Sequence, residues 1–74
     1  MNEESLIRCI ERQLGRKSVK TEDRFIDDLG AESIDMLHIM ADIESQTGIF
    51  IPEEVIPDLT SVKDLYEYIN SRQG

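Results

Sequence analysis

Apolar residues recur along this chain at steps of three and four, and nowhere alternate with polar ones long enough to make a strand. That period belongs to the α-helix. Leu6, Ile7, Ile10 and Leu14 form one stripe. Met36, Ile39, Met40, Ile43 and Thr47 form a second, with Leu37 at its edge, and Val62, Leu65, Tyr66 and Ile69 form a third. The spacing predicts helices over residues 2–14, 33–47 and 61–72. Their ends are marked: Asn2 can cap the first, with Glu3 and Glu4 at its positive end, and Gly15 and Gly48 are natural stops. Ser61 and Asp64 make a capping box. Pro52, Glu53 and Glu54 suit the first turn of a short helix over 52–58, which Pro57 keeps short. The expected fold is all-α: one domain over residues 1–74, built as a small four-helix bundle of three longer helices and one short one.

Residues 16–32 have no sustained period and read as a long loop, of a kind that often carries function. Val19, Phe25, Ile26 and Leu29 are its expected anchors in the core, and Asp27-Asp28-Leu29-Gly30 reads as a turn. Ile49-Phe50-Ile51 is a brief apolar link.

A chain of 74 residues with 39% hydrophobic content can bury one modest core. Cys9 is its only cysteine, which excludes an internal disulfide and a cysteine-rich zinc site, and His38 is its only histidine, which argues against a histidine-based one, so no metal is expected. Cys9 flanks the first apolar stripe and reads as a packing residue. Net charge is −8, unevenly spread. Residues 1–24 carry six basic and five acidic side chains, whereas residues 25–62 carry nine acidic ones and no Lys or Arg. Such a chain is a poor match for nucleic acid or an anionic membrane surface, and no apolar run is long enough to span a bilayer. The start, Met-Asn-Glu-Glu, lacks the basic and apolar regions of a signal peptide. The expectation is a soluble, cytoplasmic monomer whose partners are proteins with basic patches.

No glycine-rich phosphate loop or converging catalytic set is present. Ser33 and His38 lie five positions apart, about 140° around a helix, so they diverge. Ser33 still stands out, just after a Gly-containing loop at a helix start, where free N–H groups and the helix dipole favour a phosphate. Serine is also a preferred N-cap, and on position alone capping is the plainer reading.

The stretch Phe25-Ile26-Asp27-Asp28-Leu29-Gly30-Ala31-Glu32-Ser33-Ile34-Asp35 resembles the prosthetic-group attachment motif of acyl carrier proteins. Ile51-Pro52-Glu53-Glu54, Leu59-Thr60-Ser61-Val62 and Tyr66-Glu67-Tyr68-Ile69 are similar to later landmarks of that family, in order and spacing. Glu32 stands where the family usually has Asp, Ile34 where it has Leu, and His38 where many fatty-acid carriers have an acid. The resemblance implies a bundle of acyl-carrier type that is no enzyme itself. It implies that Ser33 bears 4′-phosphopantetheine, transferred from coenzyme A by a separate phosphopantetheinyl transferase. The arm would hold acyl groups as thioesters and present them to acyl-transferring and chain-elongating enzymes of fatty-acid or polyketide-like biosynthesis. Glu32, Ile34, Asp35, His38, Ala41 and Asp42 are then the expected partner-binding residues. The alternatives are a carrier-fold structural or regulatory subunit that does not use the arm, and a small acidic regulator of basic partners.

Overall fold

A computed structural model describes residues 1–73. Helix α1 spans Glu3–Leu14, α2 spans Ser33–Thr47, a 3₁₀ helix spans Glu53–Asp58, and α3 spans Val62–Gln73. The three predicted stripes face one core: Leu6, Cys9 and Ile10 from α1, Met36, Ile39, Met40 and Ile43 from α2, and Val62, Leu65 and Ile69 from α3. Each such aliphatic side chain stabilises the fold by roughly 1.5–3 kcal/mol when fully buried. Helix α1 packs chiefly on α2 and more lightly on α3.

Local chemistry sets the ends. Asn2 Oδ1 accepts from the Ser5 N–H at 2.8 Å, satisfying one donor of the first turn of α1. At the start of α3, Ser61 Oγ accepts from the Asp64 N–H at 3.2 Å, and Asp64 Oδ2 accepts from the Ser61 N–H at 3.3 Å. Both halves of the capping box are therefore made. Two hydrogen bonds from Thr60 to the same oxygen reinforce it. The short helix is 3₁₀ rather than α, because Pro57 lacks the N–H an α-turn would use. Its bonds close three residues back, from Val55 N to Pro52 O and from Leu59 N to Ile56 O. Pro52 sits one position earlier than expected, as the N-cap.

The long loop is tied down at both edges. Val62 N donates to Asp23 O, Phe25 N to Thr60 O and Lys63 N to Thr21 O, so the loop pairs with the approach to α3 around an isolated antiparallel bridge at Arg24 and Ser61. On the α1 side, Glu11 Oε2 accepts from the Val19 N–H and Arg16 donates to Leu29 O. Val19, Phe25 and Leu29 are buried as expected. Ile26 is not: it is 73% exposed. Residues 24–30 form a single tight turn, in which Asp28 N and Leu29 N both reach back to Arg24 O. Phe25 and Leu29, four apart, share its inner side, and Ile26 is rotated away from them. Gly30 closes the turn at φ +65°, which strains any residue with a Cβ, and delivers the chain to α2.

Candidate functional site

Helix α2 begins in an unusual way. Its N-cap is Glu32, in extended backbone, and Ser33 is the first helical residue. Glutamate is not a favoured cap. The Asp35 carboxylate compensates by accepting from the Glu32 N–H at 2.8 Å. Asp35 therefore secures the helix start, and the exposed Ser33 is released from the capping role that serine usually fills.

Ser33 also lines a groove of about 400 Å³ between the loop, α2 and the 3₁₀ helix. Phe25, Ile26, Met36, Ile56 and Leu59 give its lining an apolar character. Arg24, at the rim, is held by Asp27 at 3.5 Å and Asp28 at 3.7 Å. A phosphodiester on Ser33 fits this setting: the free N–H groups of the first turn favour its charge, and an apolar channel starts beside it.

The flank of α2 next to Ser33 is open. Ile34 is 50% exposed, His38, Ala41, Glu44 and Ser45 are exposed, and Leu37 is half-buried. Glu32 is exposed as well, at the edge of this surface. Two of the residues expected to meet partners are otherwise engaged. Asp35 is half-buried and caps the helix. Asp42 turns toward α1, with only 19% of its side chain exposed. Its Oδ2 accepts from Cys9 Sγ at 3.0 Å, Arg12 Nη2 at 3.0 Å and Gln13 Nε2 at 3.3 Å, and its Oδ1 from Gln46 Nε2 at 2.9 Å. Asp42 is thus a seam residue between α1 and α2 and not part of the exposed face. The bond from Cys9, then that from Gln46, holds its carboxyl well below the usual carboxylate range. Burial first, and the bond to Asp42 second, push the Cys9 thiol up to about 12. Cys9 is a buried packing residue, as its position on the stripe suggests.

Phe50, in the apolar link after α2, is 66% exposed. Its neighbours supply a signal that could have found it. In extended chain, successive side chains point to opposite sides, so burying Ile51 and half-burying Ile49 turns Phe50 outward.

Among the described residues, no cluster of three or more His, Cys, Asp or Glu side chains could hold a metal. Among the same residues, no helix is long and apolar enough to cross a membrane.

Known proteins match this geometry. The family model PP-binding, the phosphopantetheine attachment site, covers residues 4–69. An acyl carrier protein of Rickettsia canadensis (strain McKiel) is 38% identical over 74 residues, spanning 97% of this chain and 86% of that one. BlmI, a type-II acyl-carrier-protein from Streptomyces verticillus involved in bleomycin biosynthesis, shares the fold with a TM-score of 0.86 at 21% identity. That match covers 97% of this chain and 86% of BlmI. A Mycobacterium tuberculosis chain proposed to be an acyl carrier protein superposes with a TM-score of 0.87 at 22% identity, over 95% of this chain and 96% of its own. The chain belongs to the phosphopantetheine-binding acyl carrier protein family, whose members carry acyl groups and do not catalyse.

Proposed function

We infer that Ser33 is the residue that bears 4′-phosphopantetheine. The observation that carries this reading is the combination at the start of α2: an exposed serine, freed from capping by Asp35, at the mouth of an apolar groove. The arm supplies a terminal thiol that holds acyl groups as thioesters. The chain's own part is to hold, orient and present. The first turn of α2 meets the phosphate with its N–H groups and dipole. Asp35 fixes the helix start, so the attachment oxygen is held on a rigid element. The groove offers Phe25, Met36, Ile56 and Leu59 as cover for the apolar part of a cargo.

Ser33 has no neighbouring base to activate it: His38 diverges from it around the helix. The attachment chemistry therefore belongs to a phosphopantetheinyl transferase acting from coenzyme A with Mg²⁺. Partner enzymes approach the exposed flank of α2, where Ile34 and Ala41 give apolar contact beside His38 and Glu32. The pathway served is fatty-acid or polyketide-like biosynthesis, in the cytoplasm. Incubation with coenzyme A, Mg²⁺ and a broad-specificity transferase should add the mass of one arm, and Ser33→Ala should abolish the gain while keeping the helical circular dichroism spectrum. A mass gain that persists in the alanine variant refutes the assignment.

A further inference from the structure

Arg24 differs from the arginines that tie the fold together. Arg12 donates a hydrogen bond to Asp42 at 3.0 Å, and Arg16 donates one to Leu29 O at 3.2 Å. The Arg24 guanidinium donates none among the described residues. Its carboxylate neighbours Asp27 and Asp28 lie at 3.5 and 3.7 Å, outside ordinary hydrogen-bond range. Asp28 is engaged elsewhere, since its Oδ2 accepts from the Arg24 backbone N–H at 2.7 Å. The Arg24 side chain is 61% exposed, and loose exposed pairs of this kind stabilise little. Five N–H donors are thus held near two carboxylates by field alone.

The place of this side chain gives it a use. Arg24 is the one cation in the lining of the groove that Ser33 borders, and residues 25–62 bring no other Lys or Arg to it. A second, smaller groove of about 200 Å³, lined by Leu37, Ala41 and Phe50 with Glu44 and Glu53, has no cation at all. Arginine carries its charge on a long flexible stem, so its head can move within the space it shares with Ser33. A phosphodiester on Ser33 is a fixed anion with two unesterified oxygens. The planar guanidinium fork matches two such oxygens at once, and charge-assisted bonds of this kind are about twice as strong as neutral ones.

We propose that Arg24 is the positioning residue for the arm: on the loaded chain its guanidinium leaves Asp27 for the phosphodiester on Ser33 and holds the root of the arm against the groove. This deepens the reading of Ser33 as the attachment residue and rests on it. Asp27 is then the competitor that keeps the arginine while the arm is absent. Arg24 takes no part in attachment chemistry. Its effect is to direct the arm along Met36, Ile56 and Leu59 instead of into solvent.

The test is ³¹P NMR of the loaded protein for wild type, Arg24→Gln, Arg24→Lys and Asp27→Asn, with the same loaded proteins unfolded in urea as the reference for a free phosphodiester. In wild type at low salt the ³¹P shift should be displaced from that reference. The displacement should fall at least about twofold between about 0.01 M and 1 M salt, as the screening length drops from about 30 Å to about 3 Å. Arg24→Gln should remove at least about half of it at low salt and flatten the salt dependence, as loss of one charge-assisted contact does. Arg24→Lys, which keeps the charge without the fork, should fall between the two. Asp27→Asn removes the competitor, so its displacement should persist to higher salt than in wild type. In wild type the Arg24 Nε–Hε signal should move on loading while that of Arg12 stays in place. Coincident low-salt ³¹P shifts for wild type and Arg24→Gln overturn the proposal and leave the attachment reading standing. So does a change in the same direction for Asp27→Asn and Arg24→Gln, which marks Arg24 as a brace of its own turn. Should Arg24→Gln lose its helical circular dichroism, Arg24→Lys and Asp27→Asn decide by the same signs. Wild type that gains no arm overturns both readings.

Discussion

The two flanks of α2 face opposite demands. Toward α1 the surface is closed: Cys9 is fully buried, and Asp42 gathers hydrogen bonds from Cys9, Arg12, Gln13 and Gln46. Toward the loop and the 3₁₀ helix it is open, with two grooves, exposed Ile34 and Phe50, and glutamates without ion pairs among the described residues. The 3₁₀ helix buries none of its residues fully. One helix thus anchors the fold with one side and presents a site with the other. Apolar character does not distinguish the sides; partners for the polar groups do.

The sharpest way to break this comparison is to make the same substitution on each side. Ile39→Ala, in the core, should cost about 3 kcal/mol. That is a large part of the stability of a domain this small, where about 0.05–0.15 kcal/mol per residue is typical. Ile34→Ala, half-exposed, should change stability by less than about 0.5 kcal/mol while weakening transferase binding. Urea unfolding of both variants decides it: comparable costs would erase the division between flanks.

Asp42→Ala should come next, at about 2 kcal/mol, from the loss of charge-assisted hydrogen bonds at the seam. Arg12 adds little to that sum, because it is 60% exposed and its pair is screened. The pH dependence carries a sign. The Asp42 carboxyl is depressed in the folded chain, so its contribution is present above the ordinary carboxylate value and is lost as pH falls toward the folded one. Thermal unfolding between about pH 5 and pH 2 should show a steep loss for wild type and a flatter one for Asp42→Asn. Cys9 gives the opposite limb. Raised from 9.0 to about 12, it contributes fully below its ordinary value and loses that contribution as pH climbs from about 9 to 12. A Cys9→Ala variant with an unchanged alkaline slope would contradict this.

Smaller effects sharpen the open side. Asp35→Ala should cost about 1 kcal/mol, as loss of a cap does, and should loosen the first turn of α2, seen as faster amide exchange at Met36 than at Ile43. Smallest of all is screening. Nine acidic side chains and no Lys or Arg over residues 25–62 repel one another, so moderate salt should raise the melting temperature slightly. No rise would show that the fold already tolerates its own field.

The sequence made the three long helices legible because period and caps agreed at each. Ser61 with Asp64 and the anchors Phe25 and Leu29 could be read for the same reason. Ser33 was legible through its position and the motif around it. Asp42 was not, because a helical wheel supplies an angle and not the identity of what covers it, and α1 covers that angle. Ile26 and Phe50 sit in segments without helical period, where exposure depends on which neighbour the core takes first. The release of Ser33 from capping was hidden too: it depends on Asp35 reaching back to Glu32, a contact no spacing rule reveals for a glutamate cap.

The most direct measurement of the central claim is to locate the arm. Because residues 25–62 lack Lys and Arg, trypsin leaves Phe25 to Lys63 as one peptide holding Ser33, Ser45, Thr47, Thr60 and Ser61. After loading with coenzyme A and transferase, that peptide should carry the whole mass gain, and fragmentation should put it between Glu32 and Ile34. A gain on Ser45, Thr60 or Ser61, or on any peptide from α1, would contradict the assignment of Ser33 as the point where this chain holds its cargo.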